Sequence, residues 1–174
     1  MREKILNNKT VLFIGLKNCK NSSRALNFLE SLGCNVTPVL NRSRSEAIDK
    51  RVLNYKGDFI FSYRCYWRIP IEVINRTRIA AINFHPGTPD YPGSGTFSWA
   101  LYNKNETFGV TVHLMNEKID NGEILNVYRF KIDENYDLKK LINVTYEFSL
   151  EAFITFVSEL NDKSFKDLKI FLKG

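Results

Sequence analysis

Cysteine is scarce in this chain, and neither a secretion signal nor a membrane span is evident. The three cysteines, Cys19, Cys34 and Cys65, are far apart and odd in number, which argues against a disulfide framework and gives no paired spacing for zinc. The N-terminal residues lack the apolar run of a signal peptide, and no segment reaches the length of a membrane span. We therefore expect a cytoplasmic protein with reduced thiols and no metal site.

A glycine-rich phosphate loop is also missing. Gly15 ends the first apolar strand, and the loop that follows contains no further glycine, so no dinucleotide-binding fingerprint is present. The amides near Ser22 and Ser23, with Lys17 and Lys20 beside them, could hold a phosphate at the start of a helix. A solvated loop explains the same residues equally well.

Charge and composition indicate one folded domain that attracts anions. Lys and Arg outnumber Asp and Glu by 25 to 19, and apolar residues make up 44% of the 174 residues. The basic residues are dispersed, which is typical of a solvated surface and makes nucleic-acid binding an unfavoured interpretation. We expect a single domain over residues 1–174, with a short C-terminal extension from about residue 161.

Apolar runs alternate with amphipathic segments in the order expected of a Rossmann-like, open, mostly parallel α/β sheet with helices on both faces. Strands are predicted at residues 10–15, 36–40, 58–62, 79–84, 110–115 and 124–130, and helices at 22–32, 45–55, 71–74, 97–102 and 138–160. Pro38 interrupts the second strand and predicts either an edge position or a short strand, because proline cannot donate to a sheet ladder.

The segment over residues 85–95 has an unusual composition. It contains three of the chain's five prolines and three of its nine glycines, directly after a predicted buried strand. Prolines reduce the entropy lost in holding one conformation, and open α/β sheets bind ligands at the carboxyl ends of their strands. The pattern predicts a shaped ligand-binding loop.

Polar side chains of the types that carry out catalysis lie close to this loop in the sequence. Asn83 and His85 are two residues apart on a predicted strand, so their side chains project to the same side. Asp120 precedes a predicted turn, where its carboxylate either reaches toward the histidine or stabilises its own turn. His113 lies inside a strand and is predicted to be a hydrogen-bonded core residue.

Four ordered segments resemble the formyltransferase family, which includes glycinamide ribonucleotide transformylase, methionyl-tRNA formyltransferase and the sugar N-formyltransferases. The segments are residues 82–87, 89–93, 108–113 and 118–124. The resemblance implies the formyltransferase catalytic fold, 10-formyltetrahydrofolate as co-substrate, and a catalytic triad of Asn83, His85 and Asp120. Residues 62–70 look like the family's folate-holding loop.

The same resemblance implies contacts for both substrates. The implied folate-binding residues are Tyr66, Trp67, Arg68, Ile69, Asn116, Lys118 and Ile119, and the implied acceptor-binding residues are Tyr91, Pro92, Gly93 and Trp99. Trp67 and Ile69 are alternatively ordinary core residues, and Tyr91 and Trp99 alternatively serve packing alone. The implied reaction is attack of a neutral amine on the formyl carbon, with Asn83 and a protonated His85 donating to the oxygen that gains charge.

Three acceptors are compatible with the family. The tRNA enzymes carry an additional C-terminal domain, and the purine enzyme has a glycine-rich loop that is missing here. The residues of these motifs most resemble those of the sugar N-formyltransferases. This resemblance implies a nucleotide-linked amino deoxysugar as the acceptor and a role in lipopolysaccharide O-antigen biosynthesis. A folate-binding or nucleotide-binding module without turnover is the non-enzymatic alternative. Alternating apolar residues at 165–172 suggest a strand that pairs within the chain or in a homodimer.

Overall fold

A computed structural model describes residues 4–162. The strands are β1 (Thr10–Leu16), β2 (Asn35–Asn41), β3 (Phe59–Tyr63), β4 (Ala80–His85), β5 (Thr107–Leu114) and β6 (Ile124–Lys131). The helices are α1 (Lys20–Ser31), α2 (Lys50–Leu53), α3 (Ile71–Asn75), α4 (Thr96–Tyr102) and α5 (Leu138–Asn161). The predicted strand at 165–172 lies outside the described residues. No helix within residues 4–162 has the length and apolarity to cross a membrane.

The six strands form one sheet in the order β2-β1-β3-β4-β5-β6. The first four strands are parallel, whereas β5 and β6 pair antiparallel. The predicted open, mostly parallel α/β sheet is therefore confirmed. Pro38 lies on β2, an edge strand, as its missing N–H group predicted.

Two apolar layers cover the two faces of the sheet because side chains alternate along each strand. On one face, strand aromatics such as Phe13 and Phe61 pack against Phe153 of α5 and Leu29 of α1. On the other face, a smaller layer that includes Ile60 packs against the short helices α2 and α3 and the segment after β3. Helices on both faces were predicted and are present.

The first helix begins earlier than the sequence predicts. Its N-cap is Cys19, whose Sγ accepts a hydrogen bond from Ser22 N, rather than Ser22 or Ser23. The Ser22 hydroxyl instead accepts from Leu16 N and ties the helix to the end of β1. Gly33 ends the helical segment in the left-handed region with φ of +80°, as its position predicted.

The predicted helix at residues 45–55 is wrong in extent, since only Lys50–Leu53 is helical. Asp49 caps this short helix through its carboxylate and Arg51 N. Upstream, Glu46 makes contacts outside a helix: its carbonyl accepts from Trp67 Nε1 at 2.9 Å and its carboxylate accepts from Arg42 N at 2.8 Å. The weak apolar periodicity of residues 45–55 is therefore not enough to make the whole segment helical.

Candidate functional site

The candidate site lies at the carboxyl end of β4, where the sheet changes from parallel to antiparallel pairing. Asn83 is paired with Ser62 of β3 on one side and with His113 of β5 on the other. Paired residues on neighbouring strands present their side chains to the same face. The sheet therefore brings Asn83 and His113 together, and His85, the last residue of β4, follows on that face.

Asp120 reaches this strand end from the loop between β5 and β6. Its backbone is in the left-handed region, with φ of +48°. One carboxylate oxygen, Oδ1, accepts from Asn83 Nδ2 at 3.0 Å, and the other, Oδ2, lies 3.1 Å from His85 Nδ1. Oδ2 also accepts from the backbone N–H of Gly93 at 3.0 Å. Asp120 thus reaches beyond its own turn, and we call Asn83, His85 and Asp120 the strand-end cluster.

His113 is the buried neighbour of the strand-end cluster. Its Nδ1 lies 2.8 Å from the carbonyl oxygen of Leu114, which can only accept, so Nδ1 carries the proton in the neutral ring. Nε2 is then an acceptor, 3.1 Å from Asn83 Nδ2. The predicted role of His113 as a hydrogen-bonded buried residue is confirmed, and its contact with Asn83 fixes the orientation of that amide.

The carboxylate of Asp120 is stabilised in its charged form. Burial by itself raises the pKa of this carboxyl group, but the neighbouring imidazoles of His113 and His85 and the Gly93 amide outweigh it. The pKa of Asp120 is therefore lowered. Asp120 is an anion at neutral pH, with donors around both oxygens.

Burial and the neighbouring acceptors act on His85 in opposite directions. Burial lowers its pKa from the ordinary value, and the Asp120 charge and the Tyr91 carbonyl only partly offset this effect. A protonated His85 as donor stays a prediction, because the lowered pKa favours the neutral ring whereas acceptors at both ring nitrogens favour the protonated one. Nε2 faces Tyr91 O at 3.0 Å and Nδ1 faces Asp120 Oδ2 at 3.1 Å. Both partners are acceptors, so a proton that the ring gains during a reaction would also be held.

A cavity of about 570 Å³ opens on the strand-end cluster. It is lined by all three cluster residues and by every residue predicted to bind folate, namely Tyr66, Trp67, Arg68, Ile69, Asn116, Lys118 and Ile119. Trp67 and Ile69 are also buried core residues, so both predicted interpretations apply to them. Tyr66 and Ile119 are exposed. Sequence segments that are distant in the chain therefore share one cavity.

The predicted acceptor-binding residues are not all brought to this cavity. Gly93 lines it, whereas the structure places Tyr91, Pro92 and Trp99 outside the lining. The Tyr91 hydroxyl bonds to Asn103 and Asn105, and the ring packs in an apolar cluster below α4. Trp99 is 55% exposed and contacts Tyr102 edge to face. Tyr91 contacts the strand-end cluster through its backbone carbonyl, which faces His85 Nε2, and not through its ring.

Several cavity residues were not singled out from the sequence. Arg44 and Arg64 line the cavity together with the predicted Arg68 and Lys118, so four cationic side chains surround it. The guanidinium carbon of Arg64 lies 3.6 Å from the ring centre of Tyr146, and its Nη1 donates to Cys19 Sγ at 3.2 Å. Only the packing of α5 against the sheet brings Tyr146 here, so no local signal could have revealed it.

Residues 13–157 match the Formyl transferase family over most of the chain. The chain belongs to this family.

Each curated relative aligns with only part of this chain, over only part of its own length. The bifunctional polymyxin resistance protein ArnA of Wigglesworthia glossinidia brevipalpis is 37% identical over 49% of this chain and 13% of its own length. A methionyl-tRNA formyltransferase of Lachnospira eligens is 34% identical over 53% and 30%. A GDP-perosamine N-formyltransferase of Brucella melitensis is 29% identical over 47% and 32%. The matched segment thus spans 13% to 32% of these relatives.

Solved structures of low sequence identity share the fold. PseJ of Anoxybacillus kamchatkensis, in complex with UDP-4,6-dideoxy-4-formamido-L-AltNAc and tetrahydrofolate, has a TM-score of 0.70, 21% identity, and coverage of 94% of this chain and 78% of PseJ. A sugar N-formyltransferase from Shewanella has a TM-score of 0.67 and 21% identity, with coverage of 90% of this chain and 73% of its own. Phosphoribosylglycinamide formyltransferase from Bacillus halodurans has a TM-score of 0.70 and 15% identity, with coverage of 89% of this chain and 96% of its own. Fold similarity alone therefore does not separate the acceptors.

Proposed function

We propose that this chain transfers the formyl group of 10-formyltetrahydrofolate to the primary amine of a nucleotide-linked amino deoxysugar. The observation that carries the proposal is the strand-end cluster: an asparagine, a histidine and a carboxylate, in contact with one another, face a cavity in a chain of the Formyl transferase family. Such sugars are components of lipopolysaccharide O-antigens, which would be the biosynthetic context.

The cavity offers suitable groups for a folate. Trp67, Ile69 and Met115 give it an apolar wall, and Arg68 and Lys118 supply cations. In this proposal the apolar wall binds the pterin ring and the cations attract the carboxylates of the folate tail. The bound co-substrate supplies an activated formyl carbon.

The strand-end cluster provides proton handling and charge stabilisation. As the amine attacks, negative charge develops on the formyl oxygen, and fixed donors in a buried site stabilise that charge. Asn83 and His85 are the proposed donors, and each gives up one of its present protein partners to donate to the formyl oxygen. Burial lowers the pKa of His85, which favours a ring that can take up the proton that the amine loses, and the acceptors at both of its nitrogens would hold that proton. Asp120 then holds the imidazolium.

Three observations favour a sugar nucleotide as the acceptor. A GDP-perosamine N-formyltransferase is among the relatives, and PseJ was crystallised with a formylated UDP-sugar. Arg44 and Arg64, the two cavity cations not assigned to the folate tail, suit the phosphates of a nucleotide. The loop between β1 and α1 lacks the glycines of the purine enzyme.

The test is an acceptor panel. The full chain is mixed with 10-formyltetrahydrofolate and, in separate reactions, with GDP-perosamine, the 4-amino precursor of the PseJ product, glycinamide ribonucleotide or methionyl-tRNA. Release of tetrahydrofolate is then measured. We expect turnover with one of the two sugar nucleotides.

Each other outcome changes a defined part of the proposal. Turnover with glycinamide ribonucleotide or methionyl-tRNA alone would keep formyl transfer and reject the sugar. Folate binding without turnover by any acceptor would reject the enzymatic function and indicate a binding module.

A further inference from the structure

Arg64 has an unusual backbone conformation for an arginine. It directly follows β3, and its φ of +59° lies in the left-handed region. Residues with a long side chain rarely adopt this region, whereas glycine and asparagine do so more easily. Among residues 4–162, Asp120 is the other non-glycine residue that has a positive φ and lines the cavity. An unfavourable backbone held at a cavity wall is typical of a residue with a function.

The guanidinium of Arg64 is held by neighbours from two helices. Its carbon lies 3.6 Å from the ring centre of Tyr146 in α5. Its Nη1 donates to Sγ of Cys19, the N-cap of α1, at 3.2 Å. The two contacts together fix the plane and the direction of the guanidinium. A planar guanidinium that is already fixed loses little further freedom when it binds an anion.

The positive charge of Arg64 is accessible to a ligand. A guanidinium has five N–H donors, and the bond to Cys19 uses one of them. No carboxylate oxygen within residues 4–162 lies within 4 Å of the Arg64 nitrogens. Arg64 and Tyr146 both line the cavity and are partly exposed. An arginine in this state is suited to bind the oxygens of a phosphate, two at a time.

The contacts of its guanidinium group Arg64 with α4 and α5 rather than with the proposed folate-binding groups. The Tyr146 ring contacts the Phe97 ring edge to face, with the centroids 5.8 Å apart. Phe97 continues the part of the cavity lining that begins at Gly93, in the segment implied to bind the acceptor. Arg68, by contrast, donates to a backbone carbonyl in the loop after β5, and both of these segments are proposed to bind folate.

We propose that Arg64 binds the diphosphate of the acceptor and that Tyr146 positions Arg64 for this contact. The assignment rests on the proposed transfer to a sugar nucleotide, in which the diphosphate joins the nucleoside to the amino sugar. Asn83 and His85 line the same cavity as Arg64. A diphosphate held by Arg64 therefore leaves the attached sugar inside the cavity that contains the strand-end cluster.

The test is calorimetric titration of the full chain with UDP and GDP, and with uridine and guanosine as ligands that lack the phosphates. Arg64→Asn removes the charge and tolerates the left-handed backbone. Arg64→Lys keeps a charge without the planar fork, and Tyr146→Leu removes the ring beneath the guanidinium. The control Arg24→Gln removes the same charge outside the cavity lining, from an arginine that pairs with Glu147 in α5. Tetrahydrofolate is titrated into every variant to check the folate site.

We expect the wild type to bind at least one diphosphate more tightly than its nucleoside. Arg64→Asn should weaken that binding roughly ten- to hundredfold, the loss of a charge-assisted hydrogen-bonded contact. Tyr146→Leu should weaken it roughly three- to tenfold, because the guanidinium is no longer held. Arg64→Lys should lie between Arg64→Asn and the wild type. The Kd for tetrahydrofolate should not change, and Arg24→Gln should bind both ligands like the wild type.

Binding is measured without turnover, so this role and the proposed function can fail separately. Unchanged diphosphate binding in both Arg64 variants would overturn the role of Arg64, and so would a wild type that binds neither diphosphate more tightly than its nucleoside. Weaker binding of tetrahydrofolate alone would instead assign Arg64 to the folate tail. Equal losses in Arg24→Gln would reduce the effect to net charge. If Arg64→Asn weakens diphosphate binding but the wild type formylates no acceptor, the role of Arg64 stands and the proposed function is rejected.

Discussion

At the scale of single residues, Asp120 is the group on which the strand-end cluster depends. Its carboxylate bonds to the Asn83 side chain and to the Gly93 amide, and it faces His85. It thereby connects β4, the loop at 85–95 and the loop after β5. The same charge raises the pKa of His85 against the opposing effect of burial. Removing the charge should therefore alter both the chemistry of His85 and the position of Asn83.

We expect Asp120→Asn to lower kcat by at least about a hundredfold, the scale of losing a positioned acid–base partner. The pKa of His85 should fall further, because the neighbouring anion no longer favours the imidazolium. NMR titration can follow this directly, since the chain has only two histidines.

Asp90→Asn is the matched control, because Asp90 is an exposed carboxylate in the same loop. It should leave the pKa of His85 and the turnover unchanged. A rise of the His85 pKa in Asp120→Asn would contradict the electrostatic account, and normal turnover would contradict the role of Asp120.

At the scale of elements, the sequence predicts the strands well because β1, β3 and β4 are continuous apolar runs with buried residues on both faces of the sheet. The proximity of Asn83 and His85 also follows from strand geometry alone. The predicted helix at residues 45–55 failed because hydrogen bonds to the backbone carbonyl and the carboxylate of Glu46, invisible in the local pattern, compete with it. Arg64 and Tyr146 could not be paired from the sequence, since their contact depends on where α5 packs.

Helix α5 is attached to the sheet mainly through aromatic packing. The Phe153 ring contacts four rings, those of Phe13, Phe61, Tyr63 and Phe84, with centroid distances from 4.7 to 6.1 Å. We expect Phe153→Ala to lower the free energy of unfolding by about 3–5 kcal/mol, because it leaves a large cavity among rings that cannot close in. Urea denaturation measures the change.

The control for this substitution is Thr155→Ala on the exposed side of the same helix. It should change the free energy of unfolding by less than about 0.5 kcal/mol. If Phe153→Ala were as mild as this control, the α5 layer would not be the main stabilising contact of the sheet face.

At the scale of the whole molecule, the position of the site follows from the topology. The carboxyl ends of the parallel strands β1, β3 and β4 lie at one end of the sheet, and β5 runs antiparallel beside β4 with His113 next to Asn83. The candidate catalytic residues are therefore found at that end of the sheet. The opposite end of the sheet carries a structural ion pair between Asp58 and Arg78.

Asp58 is the centre of that ion pair and ties the beginnings of three strands together. Its carboxylate accepts from Thr10 N and Thr10 Oγ1 at the start of β1, and from Arg78 Nε just before β4, at 2.9 to 3.0 Å. The hydrogen bond from Arg78 is the main cause that lowers the pKa of Asp58 to about 2, against a smaller opposing effect of burial. The side chain is 14% exposed.

The acid stability of the fold should depend on Asp58. Because its folded pKa is depressed, the stabilisation is present above the unfolded value of about 3.9 and is lost as the pH falls through about 2. Asp58→Asn should therefore be less stable than the wild type at neutral pH, and its loss of stability between pH ~4 and ~2 should be smaller. Urea unfolding across this pH range measures both effects. Asp90→Asn is the control, because Asp90 is an exposed carboxylate in the loop at residues 85–95. Parallel stability curves for Asp58→Asn and the wild type below pH ~4 would show that Asp58 does not link the strand beginnings through its charge.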